Sequence, residues 1–224
     1  MTDMLALVTI GQSPRVDVLP DLLPALEGRR FAEYGALDHA TAEDLVAIAP
    51  GDDEVPLVSR MRDGSRVSMV HDRVLPLIAA AIERAAADGA ATALLMCTGH
   101  FEPFATSIPV HAAEPLAQRS IVEKVTGFGV MNPVPEQIEE SRARWEARAG
   151  ARVPVSAADP YTATDRDLAR AARELAAHGA SSIVLDCFGY SAAMAAVVHA
   201  ATGLPVHLAR TIAVRAALAE MDAA

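Results

Sequence analysis

The chain has two cysteines, Cys97 and Cys187, and their surroundings repeat. Residues 89–100 read GAATALLMCTGH and residues 179–190 read GASSIVLDCFGY, an offset of 90 that also joins Gly89 to Gly179, Ala90 to Ala180, Leu95 to Leu185 and Gly99 to Gly189. Each copy passes from Gly-Ala through small residues into an apolar run and then delivers Cys-X-Gly. A cysteine at the carboxyl end of a buried parallel strand sits where open α/β sheets place their ligands. The glycine two residues on lets the backbone approach a ligand, and N–H groups beyond it suit an anionic oxygen. Two such copies suggest two half-sites facing one cleft. The competing readings are two small buried hydrophobes and a structural disulfide. The disulfide fits poorly with a chain that shows no secretory segment.

Further candidates cluster near similar junctions. The opening strand stops at Gly11-Gln12-Ser13-Pro14-Arg15, so Gln12, Ser13 and Arg15 line the same crevice if that strand lies beside the Cys97 strand. An arginine there either holds a carboxylate in bidentate fashion or is a solvated helix-start residue. Thr98, Gly99, His100 and Glu102 follow the first cysteine, and His100 would lower the thiol pKa when protonated. It reads equally as a loop histidine. Asp38-His39 reads better as polar loop than as an acid/base pair. Asn132 to Pro135 stand where Gly11 to Pro14 stood. Phe188 and Gly189 flank the second thiol, while Asp186, on the opposite side of its strand, suits hydrogen bonding better than general-base work. Arg210-Thr211, at another strand-to-helix junction, either adds to the crevice or, the stronger reading, belongs to a capped surface helix.

Positioning these residues takes alternating strands and helices, hence an α/β fold with mainly parallel sheets. Met4–Ile10 is the first strand, and Ser13 and Pro14 read as the N-cap and first turn of a helix broken by Pro20 and Pro24. Residues 31–40 offer a second strand, and Thr41 caps a short helix. Residues 55–58 and 67–69 form a hairpin around Asp63-Gly64. A helix over 71–88 turns Leu75, Ile78, Ala79 and Ile82 toward the sheet. Helices are also expected from Pro109 to Gln118 after a HAAEP turn, around Ile138 to Arg148 with Trp145 packed inside, over DRDLARAARELAAHG, over 191–201, and through the closing RTIAVRAALAEM, with strands at RVPV and LPVHLA.

Composition narrows the chemistry. At 224 residues with 52% apolar side chains, a sizeable core is available. No apolar run approaches the ~20 residues of a membrane span, and an N-terminus with Asp3 and no basic cluster is not a targeting segment, so a cytoplasmic protein is expected. A net charge of −10 without a basic stripe argues against nucleic acid and anionic membranes as partners. The cysteines lack metal-ligand spacing, the seven histidines are scattered, and neither Gly-x-Gly-x-x-Gly nor a Walker loop is present. No metal and no cofactor is expected. The alanine-rich helices would support a homodimer.

The copies LLMCTG and VLDCFG, with the openings IGQSPR and MNPVPE, resemble the aspartate/glutamate racemase superfamily over nearly the whole chain. TIGQSPRVDVLP and VLDCFGYS are similar, more narrowly, to its AroM branch. The resemblance implies two pseudo-symmetric α/β lobes, residues 1–120 with Cys97 and 121–224 with Cys187, the last helix crossing back, and a cofactor-independent site between them. It makes Cys97 and Cys187 the acid/base pair, one removing the proton α to a small carboxylate and the other returning one from the opposite face. Donors at Gln12, Ser13, Arg15, Thr98, Gly99, Asn132, Phe188 and Gly189 would hold the substrate. Thr-Gly after Cys97, where amino-acid racemases commonly carry Asn-Thr, and Phe-Gly after Cys187 leave the substrate open. A one-cysteine decarboxylase or lyase and a non-catalytic small-anion sensor are the alternatives.

Overall fold

A computed structural model describes residues 4–223; Asp3, read above as part of the N-terminal segment, lies outside them. The chain divides into two compact units after Glu114. The first unit carries β1 (Met4–Thr9), α1 (Leu19–Leu26), β2 (Phe31–Gly35), α2 (Ala42–Ile48), β3 (Pro56–Arg60), β4 (Arg66–Val70), α3 (His71–Ala87), β5 (Ala90–Leu95) and β6 (Val110–Ala112). Helix α4 (Ala113–Val122) holds the division. The second unit continues with β7 (Phe128–Asn132), α5 (Ile138–Ala149), β8 (Val155–Ala157), α6 (Asp165–Ala177), β9 (Ser182–Leu185), α7 (Ala192–Thr202), β10 (Val206–Leu208) and α8 (Ala209–Ala223).

Each unit holds a four-stranded parallel sheet, β2-β1-β5-β6 in the first and β8-β7-β9-β10 in the second. The two orders are the same once β7 is set on β1 and β9 on β5, so the duplication seen around the cysteines extends to the whole topology. The cysteine-bearing strand is central in both. Ala93, Leu94 and Leu95 of β5 and Ile183, Val184 and Leu185 of β9 are fully buried, as apolar runs covered on both faces must be. The antiparallel hairpin β3-β4 pairs Arg60 with Arg66 and belongs to the first unit alone.

Two helix ends feed these strands in the same way. Helices α3 and α6 are each followed by a glycine in the left-handed region, Gly89 at φ 89° and Gly179 at φ 90°. A Cβ at either position would meet nothing within 4 Å, so only the backbone conformation demands glycine. Gly89→Ala and Gly179→Ala are each expected to cost about 1–2 kcal/mol. Thermal unfolding of each variant measures it, and an unchanged Tm would refute it.

Several elements differ from the sequence reading. Helix α1 starts at Leu19, not Pro14, with Pro20 in its first turn and Pro24 inside. Ser13 does not cap it, because its hydroxyl is drawn to Asp38. Residues 110–112, read within the Pro109–Gln118 helix and its HAAEP turn, form the edge strand β6, and the helix starts at Ala113; three residues are too few for period-two patterning to show. The buried stripe of α3 is Val74, Ile78, Ala81, Ile82 and Ala85, which leaves Leu75 and Ala79 half-buried at its margin. Thr41 caps α2 through a capping box with Asp44, and Ser191 and Thr164 cap α7 and α6 likewise.

Candidate active site: two matched cysteine turns

Both cysteines stand just past the carboxyl ends of their strands, and both make the same contact. The backbone N–H of Gly99 donates to Cys97 Sγ at 3.4 Å, and that of Gly189 donates to Cys187 Sγ at 3.4 Å. An N–H aimed at sulfur favours the thiolate over the thiol. Neither cysteine forms a disulfide. Cys97 is partly exposed and Cys187 is buried. Thr98 and Phe188, the residues between each cysteine and its glycine, are buried as well.

The register shows which residues are equivalent. Met96 N–H donates to Val8 O at 2.7 Å and Asp186 N–H to Met131 O at 2.9 Å. Ala36 N–H donates to Thr9 O at 2.9 Å and Ala158 N–H to Asn132 O at 3.0 Å. Asn132 therefore corresponds to Thr9, so residues 132–135 stand two positions earlier than the alignment with Gly11–Pro14 supposed. Asn132 is buried at the end of β7, and its Oδ1 accepts from Ser141 Oγ at 3.0 Å.

In the first unit, Gln12, Ser13 and Arg15 are built into the loop. Asp38 accepts from Ser13 N–H, Ser13 Oγ and Gly35 N–H, each at 2.7 Å, and from Arg62 at 3.2 Å. Asp38 is thus the clamp of the β1 loop, a role read in sequence only as polar loop. Gln12 bridges Leu37 O at 3.1 Å and Arg62 N–H at 2.9 Å. A Cβ on Gly11 would lie 2.4 Å from Arg60 O, so glycine is what lets the hairpin close on this loop. Arg15 is buried and does hold a carboxylate with its fork, that of Asp17, at 2.9 and 2.8 Å. Its Nη1 also donates to Thr9 Oγ1 at 2.8 Å and Ser59 Oγ at 3.2 Å. It is not a solvated helix start.

His100 lies beside Glu114, Nδ1 to Oε2 at 3.1 Å, with Glu102 at 3.6 Å. The hydrogen bond to Glu114 outweighs desolvation and raises the imidazole above its ordinary value. Glu114 is buried.

In the second unit, Asp186 is hydrogen-bonded as the sequence suggested, its Oδ2 accepting from Trp145 Nε1 at 2.8 Å. Trp145 is fully buried and packs edge-on against Phe128 with ring centroids 5.3 Å apart, so it both fills the core and satisfies a buried acid. Tyr190 donates toward Asn132 O and Ala158 O, both at 2.6 Å, tying the ends of β7 and β8 together. Burial, then the neighbouring Cys187, Asp159 and Asp186, push its phenol well above the usual value, so it stays protonated. Arg210, read as a surface cap, is fully buried and donates from Nη1 to Phe188 O at 3.1 Å.

Glu114 and Arg210 are the residues whose importance the sequence conceals. Register places both second in the helix after the last strand of their sheet, yet they are 96 residues apart rather than 90. The unequal loops hide the equivalence from the offset that aligned the cysteines. A cleft of about 680 Å³ between α4 and α8 is lined by Arg119, Lys124, His207 and Arg215 among others. Neither cysteine lines it. Among the described residues no three His, Cys, Asp or Glu side chains group as metal ligands, and no helix is long and apolar enough to cross a membrane.

Solved structures share this fold at low identity. A glutamate racemase isoform of Bacillus anthracis matches with a TM-score of 0.65 at 10% identity, covering 99% of this chain and 82% of its own. Allantoin racemase of Klebsiella pneumoniae matches with a TM-score of 0.64 at 14% identity, over 99% and 89%. Unliganded arylmalonate decarboxylase matches with a TM-score of 0.56 at 14% identity, over 97% and 92%. No curated protein matches by sequence. The model of the family described as AroM protein spans residues 5–221, and with the duplicated parallel sheets and paired Cys-X-Gly turns on a racemase-type fold, the chain belongs to the AroM family.

Proposed function

We propose that the protein is a cofactor-independent racemase or isomerase of a small carboxylate carbon acid, with Cys97 and Cys187 as its acid/base pair. The observation that carries this reading is the matched turn, in which each thiol receives the N–H of the glycine two residues on at 3.4 Å. Proton removal α to a carboxylate needs a base of tuned pKa and an acid to return the proton. Two thiols in the same setting can exchange those roles. The developing enediolate needs donors already in place, and in this reading the buried Thr98, the backbone around Phe188, and Asn132 at the end of β7 supply them. Ser13 and Gln12 order the β1 loop, and the buried Arg15 with Asp17 fixes it to β1 and β3.

The glutamate and allantoin racemases on this fold support the reaction class, and arylmalonate decarboxylase shows that a decarboxylase shares the fold. The test is α-proton exchange in D2O, followed by NMR over a panel of amino, hydroxy and dicarboxylic acids. Exchange that is lost in both Cys97→Ser and Cys187→Ser supports the two-thiol pair. Carbon dioxide release that survives one of the two substitutions points to the decarboxylase instead. Tight binding of an acid without exchange points to a sensor.

A further inference from the structure

The connection that leaves the edge strand reaches the cysteine turn in both units. In the first unit it is residues 36–70, between β2 and α3, and it carries the hairpin β3-β4. In the second it is residues 158–164, between β8 and α6. A Cβ on Gly99 would lie 3.0 Å from Leu57 Cδ2 of the hairpin, and a Cβ on Gly189 would lie 2.7 Å from Pro160 Cγ and from Tyr161 Oη. Equivalent connections thus cover the two turns, with an aliphatic side chain over that of Cys97 and a phenol over that of Cys187.

Around Cys97 the cover is close. The point a Gly99 Cβ would occupy is 3.0 Å from Leu57 Cδ2, 3.4 Å from Cys97 Sγ and 3.4 Å from Phe101 Cε2, so a methyl, the sulfur and a ring edge converge on one spot. Phe101 is buried, whereas Cys97 and Leu57 each keep part of their surface exposed. The open side of the thiol is bordered by Leu57.

We infer that Leu57 is a specificity-determining residue, which sets the size of the group that can reach the Cys97 sulfur. Its meaning for a substrate rests on the acid/base reading above, whereas access to the thiol needs no substrate.

The wall is braced on several sides. Leu57 pairs across the ladder with Met69, which is fully buried. Leu57 and Ser59 share one face of β3, and Ser59 Oγ accepts from Arg15 Nη1 at 3.2 Å. At the turn end, Gln12 N–H donates to Arg60 O at 3.1 Å and Arg62 N–H donates to Gln12 Oε1 at 2.9 Å. One face of the hairpin therefore spans the loops after β1 and β5, two paired central strands, at the end of the sheet where ligands bind. Phe101 stacks on His71 with ring centroids 5.0 Å apart, and His71 Nε2 donates to His100 O at 2.9 Å. His71 opens α3 directly after β4, so the hairpin and Phe101 are held by one segment.

A leucine methyl and a phenyl edge offer no hydrogen bond and favour an apolar neighbour. In the acid/base reading, the substituent that a carbon acid turns toward Cys97 is a small apolar one, and Leu57 excludes larger ones. One methylene in such a pocket changes discrimination by about 10–200-fold.

The test uses the Cys187→Ser protein, in which Cys97 is the sole thiol. Its alkylation by iodoacetamide is compared with that by 2-iodo-N-phenylacetamide, which attacks through the same carbon and carries a bulky neutral group. The ratio of the two rates cancels any change in the thiolate fraction. Leu57→Ala is expected to raise the phenyl-to-small ratio by about tenfold, and Leu57→Phe to lower it by a similar factor. A hairpin merely loosened by substitution would raise the ratio in both, so opposite shifts are required. Leu57→Val, which suits a strand, carries the same test with a smaller rise where Leu57→Ala fails to fold. A ratio unmoved by the shorter side chain, or raised by Leu57→Phe, overturns the assignment. The shifts without α-proton exchange on any acid would sustain the role of Leu57 and sink the racemase reading. Exchange whose size limit is the same in the parent and Leu57→Ala proteins would sink the role of Leu57 and leave that reading standing.

Discussion

Arg15→Ala is expected to destabilise the first unit by about 3–5 kcal/mol, because it breaks a buried ion pair and leaves its partner behind. The guanidinium is 3% exposed and the Asp17 carboxylate 13%. Removing the arginine strands that carboxylate and takes a donor from both Thr9 and Ser59. The loss is large beside the 5–15 kcal/mol total of a typical domain. Arg15→Lys should recover only part of it, since an ammonium cannot supply the planar fork. Trp145, the sole tryptophan, lies in the second unit, so its fluorescence will not report the change. Hydrogen exchange of the β1 amides does, and a shift below about 1 kcal/mol would refute the prediction.

The same pair sets an acid limit. Burial alone would raise the Asp17 carboxyl, but the Arg15 hydrogen bond and charge together outweigh it and hold the group below its ordinary 3.8. A carboxyl lowered in the folded state stabilises above the unfolded value, and that stabilisation is lost as pH falls through the lower, folded one. The cost of Arg15→Ala should therefore shrink as pH falls through this range, because protonation of Asp17 removes the pair from the parent protein and relieves the stranded carboxylate in the variant. A cost that is unchanged or larger in acid would refute this.

Arg15 also shows what one sequence can and cannot disclose. The strands, the parallel class and the matched cysteines were legible because each is written locally, as an apolar run, a glycine at a helix end, or an offset repeated without gaps. Whether Arg15 held a ligand, met water or held another side chain depended on Asp17, Thr9 and Ser59 converging in three dimensions, and two of those lie on other elements. Asp38 was hidden for the same reason, since its partners Ser13, Gly35 and Arg62 come from three segments. Trp145 and Asp186 each read correctly as packing and as hydrogen bonding, yet nothing local joined them. The edge strand β6 had three residues in which to announce itself.

Gly189→Ala should impair the protein far more than Gly99→Ala, although the two glycines occupy the same place in the duplication. A Cβ on Gly189 would lie 2.7 Å from Pro160 Cγ and 2.7 Å from the Tyr161 ring and hydroxyl. Pro160 is buried and its ring is stiff, so the cysteine turn itself must yield. A Cβ on Gly99 meets Leu57 Cδ2 at 3.0 Å and Cys97 Sγ at 3.4 Å, contacts that a leucine rotamer can relieve. Overpacking of this kind costs about 1–3 kcal/mol, and because the Gly189 N–H is the donor to Cys187, the displaced turn also moves the thiol. A shift of about 1 Å at a reacting group reduces rate by roughly 10²-fold. The proton-exchange assay compares both variants directly, with circular dichroism confirming that each is folded. Equal losses from Gly99→Ala and Gly189→Ala would show that the crowding by Pro160 and Tyr161 does not govern where the Cys187 sulfur stands.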